Sequence, residues 1–223
     1  MKTDSLRASC LLVLLAFLAG GCAIPPTGAK RGAVLYDSCT VCHGADGGGN
    51  AELSVPSIAG LPEWYLRKQL TNFDQGLRAY HVDDYEGLRM RPMLLTLQAS
   101  APGGARDDIG TAVNIAAVSD FIARMPVVEP PVTLEHGDAT RGQATYAVCS
   151  ACHGADGAGN EVLGAPPLTG LNDWYVVNSL KKFQGRQRGA HPDDAVGATM
   201  QAISMAVPTE EAMRDLAAYI RNL

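Results

Sequence analysis

The sequence has no excess of basic residues and no apolar run long enough to cross a membrane. Its 18 lysines and arginines are outnumbered by 23 acidic residues, which gives a formal net charge of −5. Nucleic-acid binding needs a basic face, so this balance argues against a nucleic-acid partner. The sequence also lacks any convincing alternation of apolar and polar residues, the pattern of a half-buried strand. We therefore expect a helical protein.

The apolar run at residues 10–19 is ten residues long, whereas a membrane-spanning helix needs roughly 20. A short apolar core preceded by basic residues is typical of a secretory signal. Two glycines and Cys22 follow the run, and this ending resembles the cleavage box of bacterial lipoproteins. We predict that residues 1–22 are a signal peptide of the lipoprotein type, with Cys22 as the lipidation site. Ordinary cleavage after Ala23 is the alternative, and either route leads to the periplasmic side of the cell envelope.

Only six cysteines are present, and none is left over for a disulfide. Four of them form two Cys-x-x-Cys-His motifs, at residues 39–43 and 149–153. A redox dithiol or half of a zinc site would explain a lone Cys-x-x-Cys, but the adjacent histidine and the second copy favour covalent attachment of c-type haem. Two thiols at this spacing reach the two vinyl groups of one haem, and the next imidazole falls under the iron. The predicted haem thioethers form at Cys39, Cys42, Cys149 and Cys152, and the predicted proximal iron ligands are His43 and His153.

The second motif belongs to a duplication of a whole domain. When the chain is shifted by 110 residues, positions 31–90 match positions 141–200 without a gap. We predict one domain at residues 23–128, a proline-containing linker at 129–137, and a second domain at 138–223. Each domain is small for an all-protein core, so a large apolar cofactor is expected to supply much of the buried surface.

The duplication also selects candidates for the second axial ligand of each iron. Met90 aligns with Met200, whereas the other methionines near them have no methionine counterpart. We predict Met90 and Met200 as ligands, because a methionine thioether raises the potential and suits electron transfer. The rival pair, His81 and His191, lies nine residues before each methionine. Aspartate-rich, loop-like sequence follows both histidines, so a surface role or a hydrogen-bonding role is favoured for them.

Arg78 and Arg188 are cations shared by both halves. A guanidinium group matches the geometry of a carboxylate, so both arginines are candidates for pairing with haem propionates. A solvated surface position is the alternative for each.

Two such motifs with downstream methionines, in two duplicated helical halves, resemble the dihaem cytochrome c4 family and its class I cytochrome c relatives. The resemblance covers residues 31–223. It implies an all-α fold of two tandem class I cytochrome c-like domains, each wrapped around a covalent haem. It also implies that the carbonyls of Pro56 and Pro166 orient the proximal imidazoles.

The resemblance further implies an exported electron-transfer protein, rather than an enzyme, that serves oxidases, reductases or dehydrogenases as redox partners. A dihaem peroxidase or a sulfur-compound oxidoreductase is the enzymatic alternative. Such an enzyme would show an asymmetric pair of sites, and the matched Met90 and Met200 argue against it. A cytochrome subunit of a larger dehydrogenase or oxidase is a third interpretation with the same chemistry.

Overall fold

The computed structural model describes residues 28–99 and 108–223. The predicted signal peptide and Cys22 lie outside these residues. The first domain begins with a helix that leads into the first haem motif, and shorter helices follow it. Their bounds are α1 (Gly28–His43), α2 (Glu63–Asp74), α3 (Tyr85–Met90), a 3-10 turn (Arg91–Met93), α4 (Leu94–Ala99) and α5 (Asp108–Ala123).

The second domain repeats this order without a counterpart of α4. Its helices are α6 (Ala139–His153), α7 (Asp173–Gln184), α8 (Ala195–Ser204) and α9 (Glu210–Ile220). The described residues contain no strand, and their two isolated bridges, Asn50–Val55 and Asn160–Ala165, lie at equivalent positions of the duplication. The all-α prediction is confirmed.

Each domain is held together by its first and last helices, which cross at a glycine. A Cβ on Gly32 would lie 2.3 Å from the carbonyl oxygen of Ala117, and one on Gly142 would lie 2.0 Å from that of Asp215. Real Cβ atoms do not approach this closely, so only glycine allows α1 to meet α5 and α6 to meet α9. One turn beyond each glycine, a buried tyrosine extends the contact. Tyr36 packs against Phe121 in the first domain, and Tyr146 packs against Tyr219 in the second.

The proline-containing linker is fixed to the second domain at the start of α7. The backbone N–H groups of Thr133 and Leu134 donate to Asp173 Oδ2 at 2.8 and 2.9 Å. Burial would raise the pKa of Asp173, but these bonds and that from the Thr133 hydroxyl lower it. The carboxylate therefore stays ionised and anchors the linker. In the described part of the chain, no helix combines the length and apolarity required to cross a membrane.

The two domains pack against each other through buried polar contacts. The backbone N–H of Ser57 donates to Asn172 Oδ1 at 2.7 Å, and both residues are buried. The ring of Tyr80 meets the ring of His191 edge-on, with 4.9 Å between centroids. This packing brings the loops and helices next to both haem motifs together at one interface.

Candidate haem-binding sites

The first haem motif closes α1 and opens onto a cavity of about 350 Å³. Cys39, Cys42 and His43 line one wall of this cavity, and Met90 at the end of α3 lines it as well. His43 is buried. The covalent and iron-binding candidates of the first domain are thus collected around a single enclosed space.

The second motif repeats this arrangement at the end of α6. A cavity of about 310 Å³ is lined by Cys149, Cys152, His153 and Met200. The methionine lies on α8 and packs against the core of its own domain. Met205, one turn further along, is 61% exposed and does not line this cavity.

Both histidines are oriented by the proline carbonyls of the following loop. His43 Nδ1 donates to the carbonyl of Pro56 at 2.9 Å, and His153 Nδ1 donates to that of Pro166 at 2.7 Å. Such a bond fixes the tautomer and leaves Nε2 free for a metal. Burial lowers the pKa of both imidazoles, and the carbonyl bond opposes this only in part. Each ring is therefore neutral and able to bind iron.

The rival histidines lie away from both cavities. His81 and His191 each accept a hydrogen bond at Nδ1 from a backbone N–H two residues ahead, at 3.2 and 3.1 Å. The side chain of His81 is 39% exposed, and neither ring lines the space next to a haem motif. Met93 does line the first cavity beside Met90, but its counterpart in the second domain is Ile203.

Arg78 and Arg188 meet at the domain interface, and both line both cavities together with Tyr65 and Tyr175. Each guanidinium stacks on a phenylalanine of its own domain, at 4.4 and 4.5 Å from the ring centroid. Burial alone would raise the pKa of Tyr175, but the two arginines outweigh it and lower that pKa to about 8. The interface therefore carries buried positive charge on the wall that separates the two cavities.

This positive charge fits the carboxylates of a covalently attached haem. Arg78 Nε is buried and has no hydrogen-bond partner among the described residues, and the same is true of Trp174 Nε1. Unpaired buried donors are costly, and a bound group with carboxylates can supply the acceptors. Together with two thiols, a neutral imidazole and a thioether in each cavity, these donors match what haem c requires.

Several residues of the second domain line the first cavity, which the sequence analysis did not predict. Trp174, Asn178 and Lys182 on α7 all contribute to it. Lys68 and Asn72 on α2 contribute in the same way to the second cavity. The duplication contains one signal for such residues, because Lys182 aligns with Asn72 and Asn178 aligns with Lys68. Lys182 therefore lies one helical turn further along its helix than Lys68 does in the first domain.

The family model for cytochrome c matches this chain twice, at residues 29–125 and 139–223. The chain belongs to the cytochrome c family. It is 28% identical to a thiosulfate dehydrogenase electron acceptor of Stutzerimonas stutzeri, over 97% of this chain and 92% of the relative. It is also 28% identical to cytochrome c4 of Pseudomonas aeruginosa, over 99% of both chains.

The fold agrees with this assignment. The crystal structure of reduced cytochrome c4 from Pseudomonas stutzeri superimposes with a TM-score of 0.66, at 23% identity, over 89% of this chain and all of the other. The resemblance to the dihaem cytochrome c4 family is confirmed, and with it two covalently bound haem c groups. This cytochrome is an electron-transfer protein with one haem in each domain.

Proposed function

We propose that this dihaem cytochrome is an exported electron carrier in a respiratory or dehydrogenase-linked chain, with histidine and methionine on both irons. His43 and Met90 are the proposed ligands of the first haem, and His153 and Met200 those of the second. Each pair lines one cavity together with the cysteines of its motif. Two retained ligands leave no open position for a substrate, so little has to rearrange when an electron arrives.

The equivalence of the two sites is the observation that carries this proposal. Each proximal histidine bonds the carbonyl of an equivalent proline. Met90 lies on α3 and Met200 on α8, which are equivalent helices of the two domains. When bound, each haem supplies an iron that cycles between the ferric and ferrous states. A peroxidase or sulfur-compound oxidoreductase needs one reactive site that differs from an electron-entry site. The matched donors favour a carrier over such an enzyme.

Electron exchange between the two haems is favoured by the shared wall of the two cavities. Tyr65, Arg78, Tyr175 and Arg188 each line both spaces. The phenylalanine rings on which the two guanidinium groups stack hold them in place, which limits reorganisation around a changing charge. Two centres in one chain then serve as a two-electron store or as a short relay.

A dehydrogenase of reduced sulfur compounds is the electron donor that the relatives favour. The relative from Stutzerimonas stutzeri is named as the electron acceptor of thiosulfate dehydrogenase and matches nearly the full length of this chain. An oxidase or a reductase would then take the electrons onward. A stable cytochrome subunit of a larger dehydrogenase or oxidase would use the same haem chemistry with a permanent partner.

The optical spectrum of the ferric protein tests the ligand assignment. Two haems per chain should show the weak long-wavelength charge-transfer band from methionine sulfur to iron at an intensity expected for two such ligands. Met90→Ala and Met200→Ala should each remove half of this band. Each should also lower the potential of one haem, within the roughly 0.8 V range over which axial ligands set haem potentials. Met205→Ala is the control, since this exposed methionine should leave the band intact. A full band in Met90→Ala would contradict the assignment.

We also propose that the mature protein is held on the periplasmic side of the envelope by lipid at Cys22. The short apolar run ahead of this cysteine supports the proposal. Cys22→Ser should move the cytochrome from the membrane fraction to the soluble fraction, as followed by haem staining after fractionation. An unchanged distribution would instead favour a protein cleaved after Ala23 or an uncleaved signal.

A further inference from the structure

One lysine of the second domain forms an ion pair with two carboxylates of the first. Lys182 Nζ lies 2.5 Å from Asp84 Oδ1 and 2.6 Å from Glu86 Oε2. The lysine side chain is only 17% exposed and that of Asp84 only 1% exposed. Burial raises the pKa of Glu86, but the hydrogen bond from Lys182 outweighs this and shifts the pKa downward. The Lys182–Asp84 pair is therefore largely buried at the domain interface, whereas the Glu86 side chain is 36% exposed.

Asp84 is also the residue that caps the helix bearing Met90. Its Oδ1 accepts a hydrogen bond from the backbone N–H of Gly87 at 3.3 Å, at the first turn of α3. A Cβ on Gly87 would lie 2.1 Å from Asp84 Oδ2, so the carboxylate rests directly on this turn. A buried carboxylate needs a counter-charge. Lys182 supplies it from the other domain.

The second domain has the same cap without the ion pair. Asp194 accepts from the backbone N–H of Gly197 at 3.0 Å, at the start of the helix that bears Met200. At the position equivalent to Lys182 stands the uncharged Asn72. Among the described residues, no lysine or arginine forms a salt bridge with Asp194, which is partly exposed. The two methionine-bearing helices are thus fixed in different ways.

We propose that Lys182 is a positioning residue for the methionine ligand of the first haem, acting across the domain interface through Asp84. The proposal rests on the His/Met ligation proposed above. Without the lysine, Asp84 loses its only salt-bridge partner among the described residues and keeps only the longer-range attraction of Arg78 and Arg188, so α3 moves to bring the carboxylate to water. Met90 lies at the end of this six-residue helix and moves with it. The ligand of the second haem does not depend on the interface in this way.

The test uses the full-length holoprotein carrying Lys182→Met, which keeps the length of the side chain and removes the charge. The methionine-to-iron band should fall to about half of the wild-type intensity. Imidazole should bind at least tenfold more tightly to one ferric haem and unchanged to the other. The band that remains should disappear when Met200→Ala is added and should persist when Met90→Ala is added. Lys182→Gln provides the same comparison if the methionine variant does not yield holoprotein.

Two further variants separate this role from a general loss of charge or of folding. Lys181→Met removes the neighbouring lysine, which is 44% exposed and pairs with Glu210 at 2.6 Å, and it should change neither readout. The double variant Asp84→Asn with Lys182→Met removes the buried charge and its partner together but keeps a capping side chain. It should restore both the full band and the wild-type imidazole affinity.

Three outcomes would overturn the inference. The first is a full band with unchanged imidazole binding in Lys182→Met, provided that Met90→Ala does remove half of the band. The second is a double variant that stays as loosely ligated as Lys182→Met, since Lys182 would then not act through Asp84. The third is an equal effect of Lys181→Met. A full band in Met90→Ala would instead refute the ligand assignment itself.

Discussion

The two domains present their proposed haem ligands from equivalent helices but join their first and last helices with different chemistry. In the first domain, Arg31 Nε donates to Asn114 Oδ1 at 2.6 Å, and Asn114 also donates to the carbonyl of Leu97 on α4. In the second domain, Arg141 Nε donates to Asp215 Oδ2 at 2.6 Å instead. The last helix thus offers the arginine a buried amide in one domain and a buried carboxylate in the other.

This difference shows which parts of a duplicated domain are free to diverge. The elements that line the cavities, from the first helix to the methionine, keep a constant offset of 110 residues. The last helix does not keep this offset, because the connection before it, which includes α4, is longer in the first domain. Asn114 is fully buried and ties that extra helix to α5. Its bonds therefore belong to the longer connection rather than to the haem site.

Each interface arginine should raise the reduction potentials of both haems, and removing one of them is the change with the largest expected effect. Arg78 and Arg188 each line both cavities. A unit charge ~10 Å away contributes about 1.7 kcal/mol at an effective dielectric constant of ~20, or about 70 mV for one electron. Arg78→Gln should therefore lower the potentials of both haems by several tens of millivolts, because a nearby cation stabilises the more negative ferrous state. A spectroelectrochemical titration measures both potentials.

Arg67→Gln is the matched control for that prediction. Arg67 lies on α2, shortly before Arg78 in the chain, is 54% exposed and pairs with Glu63. Solvent screens such an exposed charge, so this variant should leave both potentials near their wild-type values. If Arg78→Gln lowered the potential of the first haem alone, each arginine would act only within its own domain, and the shared wall would have no electrostatic role.

The covalent sites were predictable from the sequence because their chemistry is local. Cys39, Cys42 and His43 occupy one turn of a helix, so their spacing alone determines how they meet a haem. Met90 lies far along the chain, and only the duplication singled it out, by matching it to Met200. The role of Pro56 was predicted only from the resemblance to a family, because no sequence pattern indicates which backbone carbonyl will accept a hydrogen bond.

The residues that cross the interface were not predictable, because their partners depend on how two domains dock. The mismatch of Lys182 with Asn72 is visible in the duplication, yet it has no meaning until Asp84 is known to lie opposite. The same holds for Arg78 and Arg188, which the sequence left undecided between propionate partners and solvated side chains. Packing, rather than local pattern, places them on a common wall.

Low pH should weaken the contact between the first and last helices more in the second domain than in the first. This effect should be smaller than that of removing an interface arginine. The hydrogen bond from Arg141 lowers the pKa of Asp215, against the opposing influence of burial. A carboxylate with a depressed pKa stabilises the fold above its unfolded pKa of ~3.9 and loses this contribution as the pH falls through the folded value. Asn114 does not titrate in this range. Lowering the pH below about 4 should therefore loosen the α6–α9 contact more than the α1–α5 contact.

Hydrogen exchange of the backbone amides of α5 and α9, read by mass spectrometry at neutral pH and below pH 4, measures this difference in the holoprotein. Comparison with Asp215→Asn assigns the excess loss of protection in α9 to Asp215. The effect should be modest, because Arg141 is 54% exposed and solvent weakens the pair. Asp215→Asn should abolish the difference, whereas Glu211→Gln, which changes an exposed partner of the same arginine, should preserve it. Equal losses in α5 and α9 would mean that the carboxylate and the amide are interchangeable at this crossing, and that the divergence between the domains has no consequence for acid stability.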